Sequence, residues 1–151
     1  MADIAHVSRP PGAAMLKPGQ MVILAAVGAL LWFLAALLMR AIVPLDFYRG
    51  VGIMIVYAFT IPGTWPFVLL IRRLASLRAD QTAIGVTIVT AAALLLDGTA
   101  FAFFPALYAD NGGDAVQAGA AILWGAGVAL VLGLLMNMAD RAQPIHNGAK
   151  Q

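Results

Sequence analysis

The sequence predicts an all-α membrane protein, with four transmembrane helices in an up-down bundle and the second helix kinked at Pro62 and Pro66. Three observations carry that prediction. Hydrophobic residues make up 62% of the 151-residue chain and charged residues only 11%, against roughly 25% charged in soluble domains. Glu, a standard residue of water-exposed helix faces, does not occur, and all seven acids are Asp. The apolar residues fall into four long runs with the charges kept mainly to the run ends.

Residues 1–20 are a polar lead-in broken by Arg9-Pro10-Pro11-Gly12 and Lys17-Pro18-Gly19, which predicts a flexible cytoplasmic tail. The transmembrane domain then covers 21–138. Met21 to Met39 carry no charge or polar chain, enough at about 1.5 Å per residue to cross a core of roughly 30 Å. This run is too long for a cleaved signal peptide, whose apolar part is about 7–15 residues. The first span is therefore placed at 21–43, ending before Pro44.

The second span, 50–71, stops at Arg72-Arg73. Pro62 and Pro66 each lack a backbone donor and crowd the carbonyl four residues earlier, so those of Ala58 and Pro62 should be freed. Neighbouring helices, water or the hydroxyls of Thr60 and Thr64 must then satisfy them. The helix is expected to be kinked or broken there, either as a packing device or as a discontinuity that helps form a binding site.

The third span, 82–108, would be longer than the hydrocarbon core as a straight helix. It is expected to tilt, break or extend beyond the bilayer, and Asp97-Gly98-Thr99 is the place expected for a break, since Asp can cap a following helix. A polar loop, Asp110-Asn111-Gly112-Gly113-Asp114, leads to the fourth span at 116–138, and residues 139–151 form a second cytoplasmic tail. Seven Lys and Arg (Arg9, Lys17, Arg72, Arg73, Arg78, Arg141, Lys150) fall on one side and two (Arg40, Arg49) on the other. The positive-inside rule then places both termini in the cytoplasm, with Arg72, Arg73 and Arg78 fixing topology and meeting anionic lipid. Phe47, Tyr48 and Tyr108 are expected at the outer interface.

Composition also narrows chemistry. The chain has no Cys and a net charge of only +2, so disulfides and thiolate metal sites are excluded and nucleic acid is not an expected partner. His6 and His146 lie in the tails, leaving no histidine to hold a haem between helices. No cofactor, metal site or enzymatic constellation is read from the sequence.

Asp97 stands out because an ionised Asp near a helix centre costs about 2.5–3.5 kcal/mol on insertion scales. Helical periodicity puts Thr90, Ala93, Leu94 and Phe101 on its face. Two partners are open to it: the carbonyls around Pro62 to Pro66, or Arg40 reaching inward from the outer half of the first helix. Asp97 is a structural acid held by such a partner, a group that handles a proton, an ion or a substrate, or a dispensable residue facing lipid. The fourth span carries Ala121, Gly125, Ala129 and Gly133 at spacing four, a ladder that lets another backbone approach closely. Its contact is either within the chain or with a second copy or another membrane protein. Trp32, Trp65 and Trp124 lie inside their spans and read as packing bulk.

The stretch Leu94-Leu-Leu-Asp97-Gly-Thr-Ala-Phe-Ala-Phe-Phe-Pro-Ala-Leu-Tyr108, with four spans of this spacing, resembles the DUF5367 family of small four-helix bacterial membrane proteins of unknown function. The resemblance covers about 21–138 and implies the architecture and attention to Asp97, but no reaction or ligand. The four-helix count is shared with small multidrug exporters, whose Glu in the first helix this chain lacks. The expected role is a structural or accessory membrane subunit, with the bilayer as partner. The alternative is a small transporter or proton-linked carrier using Asp97 and a broken second helix. A cavity reaching Asp97 separates the two, because a carrier needs one and an accessory subunit does not.

Overall fold

The computed structural model describes residues 16–142, with the side chains of Arg141 and Ala142 excepted. The readings of the tails, including Arg9, His6, His146 and Lys150, lie outside the described residues. Within them the chain is helical, with four helices long and apolar enough to cross a membrane: α1 (Pro18–Ile42), α2 (Gly50–Leu74), α3 (Thr82–Phe103) and α4 (Gly112–Ala142).

Polar groups at the helix ends show how the four are arranged. Gln20, in the first turn of α1, accepts the Lys17 amide (2.9 Å) and donates to the Ala75 carbonyl just past α2 (2.9 Å). Arg72 at the end of α2 pairs with Asp140 near the end of α4 (3.1 Å). The Asn137 carboxamide, turned with its nitrogen toward them, donates to the carbonyls of Ala79 and Asp80 (3.0 Å each). At the opposite end Arg40 pairs with Asp110 (3.0 Å), and Arg49 lies 3.5 Å from Asp114. Successive helices therefore run in opposite directions.

Their neighbours are less regular than their directions. Helix α1 packs on α3, α3 on α4, and α4 on α2, while α1 and α2 touch only briefly. The close α1–α3 seam turns on Gly28, where a Cβ would lie 2.6 Å from the Val89 carbonyl oxygen. One core, built on Ala36, Tyr48, Ala100, Tyr108 and Ala118, closes the end near the α1–α2 and α3–α4 connections. Smaller clusters around Leu24, Ile71 and Val89, and around Val68, Val86 and Met136, close the other. Large apolar side chains such as Val22, Met54, Phe59, Leu95 and Leu123 are exposed on all four helices, a surface suited to lipid rather than water.

Two expected interruptions are absent. Helix α3 runs unbroken through Asp97-Gly98-Thr99, with the Thr99 hydroxyl donating back to the Leu95 carbonyl (2.9 Å). It ends at Phe103, short of the predicted 108, because Pro105 starts a separate 3-10 turn (Pro105–Leu107). Helix α2 is continuous across Pro62 and Pro66, so the broken form of that expectation fails. Thr60 and Thr64 donate to the carbonyls of Val56 and Thr60 (2.7 Å each), not to those of Ala58 and Pro62. The ladder Ala121, Gly125, Ala129 and Gly133 faces inward: Gly125 lies against Thr60 and Gly133 against Val86. That face is occupied within the chain.

Helix α4 begins with a reciprocal cap. Asn111 accepts the Asp114 amide (2.8 Å) and donates to the Asp114 carboxylate (2.7 Å). Asn111→Ala should cost about 1 kcal/mol, read as a lowered melting temperature in detergent. A melt identical to wild type would mean that the cap does not hold the start of α4.

Candidate functional site

Asp97 is buried, 6% exposed, and its partner is neither of the two expected. Arg40 sits within one turn of the end of α1 and reaches outward, donating to the Ala106 carbonyl and pairing with Asp110. The outward geometry keeps the guanidinium head at the helix end instead of taking it into the apolar interior. The proline-flanked carbonyls of α2 do not receive Asp97 either. Instead the Tyr108 hydroxyl donates to Asp97 Oδ1 at 2.5 Å, and Trp32 Nε1 donates to that same hydroxyl at 3.1 Å.

The local sequence explains how a tyrosine eleven residues further on returns to Asp97. Pro105 stops α3, and the following 3-10 turn reverses the chain. Tyr108 then drops back between the helices, its ring stacked on Phe101 with centroids 3.8 Å apart and planes 8° from parallel. Phe101 lies four residues after Asp97, on the same face of α3. Tyr108 is 0% exposed, contrary to its expected place at the outer interface, and Tyr48 is likewise buried, donating to the Met39 carbonyl (2.7 Å). Burial, followed by the hydrogen bond to Asp97, raises the Tyr108 hydroxyl above the ordinary tyrosine range, so it stays a donor.

Asp97 lines a cavity of about 500 Å³ whose wall draws on all four helices. Thr60 and Thr64 of α2, Thr90 of α3, and Gly125 and Ala129 of α4 share its wall. The sequence-derived candidates Asp97, Thr60, Thr64, Thr90 and the first three residues of the ladder, Ala121, Gly125 and Ala129, are thus brought together. Pro62, Pro66 and Arg40 are not on that wall, and Gly133 lies beyond it. Arg72 pairs with Asp140 and Arg78 with Asp80 (2.9 Å), at the end where the sequence placed them.

Where α1 and α2 fail to meet, the wall is made of exposed residues: Leu34 and Leu38 on α1, Phe59, Gly63 and Phe67 on α2. The cavity is therefore open sideways. Trp32 and Tyr108 were missed as members of the site. Trp32 did carry a usable signal, since its indole N–H, placed mid-span, needs an acceptor and Asp97 is the acid of the spans.

Among the described residues no group of His and Asp side chains is arranged to hold a metal ion. Comparison with protein families, curated proteins and solved structures returns no match for this chain.

Proposed function

We propose that this is a multi-pass protein of the bacterial inner membrane that binds or carries a small molecule in its central cavity, with Asp97 as the acidic group of the site. The observation that carries the reading is a cavity of about 500 Å³ inside the bundle with a buried carboxylate on its wall, a size typical of small-molecule sites. An accessory subunit has no need of such a space, and packing would ordinarily fill it. In this reading Pro62 and Pro66 give α2, the helix with the smallest buried share in its span, the means to bend. No catalytic role is proposed. The resemblance to the DUF5367 family supports the architecture and supplies no activity.

Both termini are placed in the cytoplasm. Arg40 and Arg49 are paired with Asp at one end of the bundle, while Lys17 and Arg73 at the other are free of ion pairs among the described residues. Excess positive charge at that end fits the cytoplasmic side. The native chain has no cysteine, so single cysteines report topology directly. Gly112→Cys should react with an impermeant thiol reagent in intact cells, and Ala79→Cys only after the membrane is opened. Labelling of Ala79→Cys from outside would reverse the orientation.

The site itself is tested with Trp32, which lines the cavity, as the single tryptophan in a Trp65→Phe, Trp124→Phe background. A neutral heavy-atom quencher, 1-bromonaphthalene, should quench it saturably in detergent. Ala93→Phe, which fills the space beside Asp97, should abolish the saturable component. Quenching that never saturates, or is unchanged by Ala93→Phe, sinks the cavity as a binding site.

A further inference from the structure

The polar inventory of the cavity is one-sided. Among the described residues Asp97 is the only ionisable side chain on the wall, and no Lys, Arg or His lines it. The protons nearby are committed elsewhere. The hydroxyls of Thr60 and Thr64 donate to carbonyls of their own helix, the Tyr108 hydroxyl donates to Asp97, and the Trp32 indole donates to Tyr108. What these groups leave toward the cavity is acceptor capacity, since a hydroxyl that has given its proton keeps lone pairs. Thr90 is the exception: it is 8% exposed, has no hydrogen-bond partner among the described residues and lies on the same wall, where its neutral hydroxyl can donate or accept.

An anion in this space would meet a carboxylate and oxygen lone pairs with no cationic group to answer it. A cation would meet Asp97 as its counter-charge, with the aromatic side chains of Phe59, Phe67 and Trp32 also on the wall. The remainder of the wall is aliphatic, so the rest of the occupant must be apolar. The sideways gap between α1 and α2, rimmed by exposed Leu34, Leu38 and Phe59, opens at mid-span, where a membrane supplies acyl chains rather than water.

We propose that the cavity takes an apolar organic cation that enters from the bilayer through the gap between α1 and α2. This assignment rests on the cavity being the functional site, and names the class of its ligand.

The test uses two ions of nearly the same shape and opposite charge on the full-length protein in detergent. Equilibrium dialysis with tetraphenylphosphonium should show saturable binding that Ala93→Phe removes. Tetraphenylborate should show none and should not compete. Asp97→Asn keeps an oxygen to accept from Tyr108, so the fold is preserved, and tetraphenylphosphonium affinity should fall by about tenfold or more. The wild-type contrast between the two ions stands even where a variant is poorly folded. Equal binding of both ions, or full affinity in folded Asp97→Asn, overturns the cationic assignment while Ala93→Phe sensitivity leaves the cavity reading intact. Binding of neither ion, with 1-bromonaphthalene still quenching Trp32 saturably, overturns the ligand class alone. Loss of that quenching as well overturns both.

Discussion

Gly28→Leu is expected to abolish the folded protein, the largest effect of any single substitution in the bundle. A Cβ at this position would lie 2.6 Å from the Val89 carbonyl oxygen and 2.9 Å from the Ala92 Cβ. The first of these is backbone in the middle of α3 and cannot rotate aside. Even Gly28→Ala should cost about 1–3 kcal/mol by overpacking, and the remaining atoms of leucine would part α1 from α3. The useful contrast is Gly127, where a Cβ meets nothing within 4 Å. Gly127→Ala should be neutral or stabilise by up to about 1 kcal/mol, since alanine is the better helix former. Gly133→Ala, which would press on the Val86 side chain at 3.1 Å, should fall between them. Melting temperatures and elution profiles in detergent test the order. If Gly28→Leu melts like Gly127→Ala, the α1–α3 seam is not where the structure puts it.

Tyr108→Phe should be the next most damaging change and the one that bears on the site. It removes the donor to Asp97 and the acceptor for Trp32 together. A hydrogen bond contributes about 0.5–1.5 kcal/mol net, and a buried partner left without it carries a desolvation penalty of about 1–3 kcal/mol. Asp97→Asn should be milder, because the carboxamide oxygen still accepts from Tyr108. Arg40→Gln should act independently of both. Its partners are Asp110 and the Ala106 carbonyl, so Asp97→Asn and Arg40→Gln should add within about 0.5 kcal/mol. A coupling clearly above that value would restore the Arg40–Asp97 pair and displace Tyr108 as the partner. A wild-type melt for Tyr108→Phe would do the same damage to the hydrogen-bond chain.

The helices were legible because bilayer-length apolar runs bounded by charge leave few alternatives. Asp97 was legible for the same reason, since one acid inside such a run must be satisfied somewhere. Its partner was not. Tyr108 stands at the end of an apolar segment, where an aromatic facing headgroups and one folded back into the bundle have the same sequence surroundings. Only the reversal after Pro105 and the stack on Phe101 decide between them. Arg40 attracted attention by charge, yet an arginine near a helix end finds a cheaper partner outside the core. Gly28 was passed over because it belongs to no spaced ladder, and its role depends on which helix lies opposite. The cavity was beyond reach for a related reason: it follows from α1 and α2 failing to pack, and sequence adjacency suggests that they would.

The same short connection between α3 and α4 is held by two bonds of different character. Tyr108 fastens it inward to Asp97 in a buried setting, while Arg40 and Asp110, 45% and 80% exposed at their side chains, fasten it at the rim. The rim pair is weakened by salt, whereas the inner bond answers only to what happens at Asp97. The connection is therefore a latch with two keys, one turned by ionic strength at the rim and the other by whatever takes hold of Asp97 beneath it. A change at Asp97 therefore reaches, through a single hydroxyl, a segment at the end of the bundle.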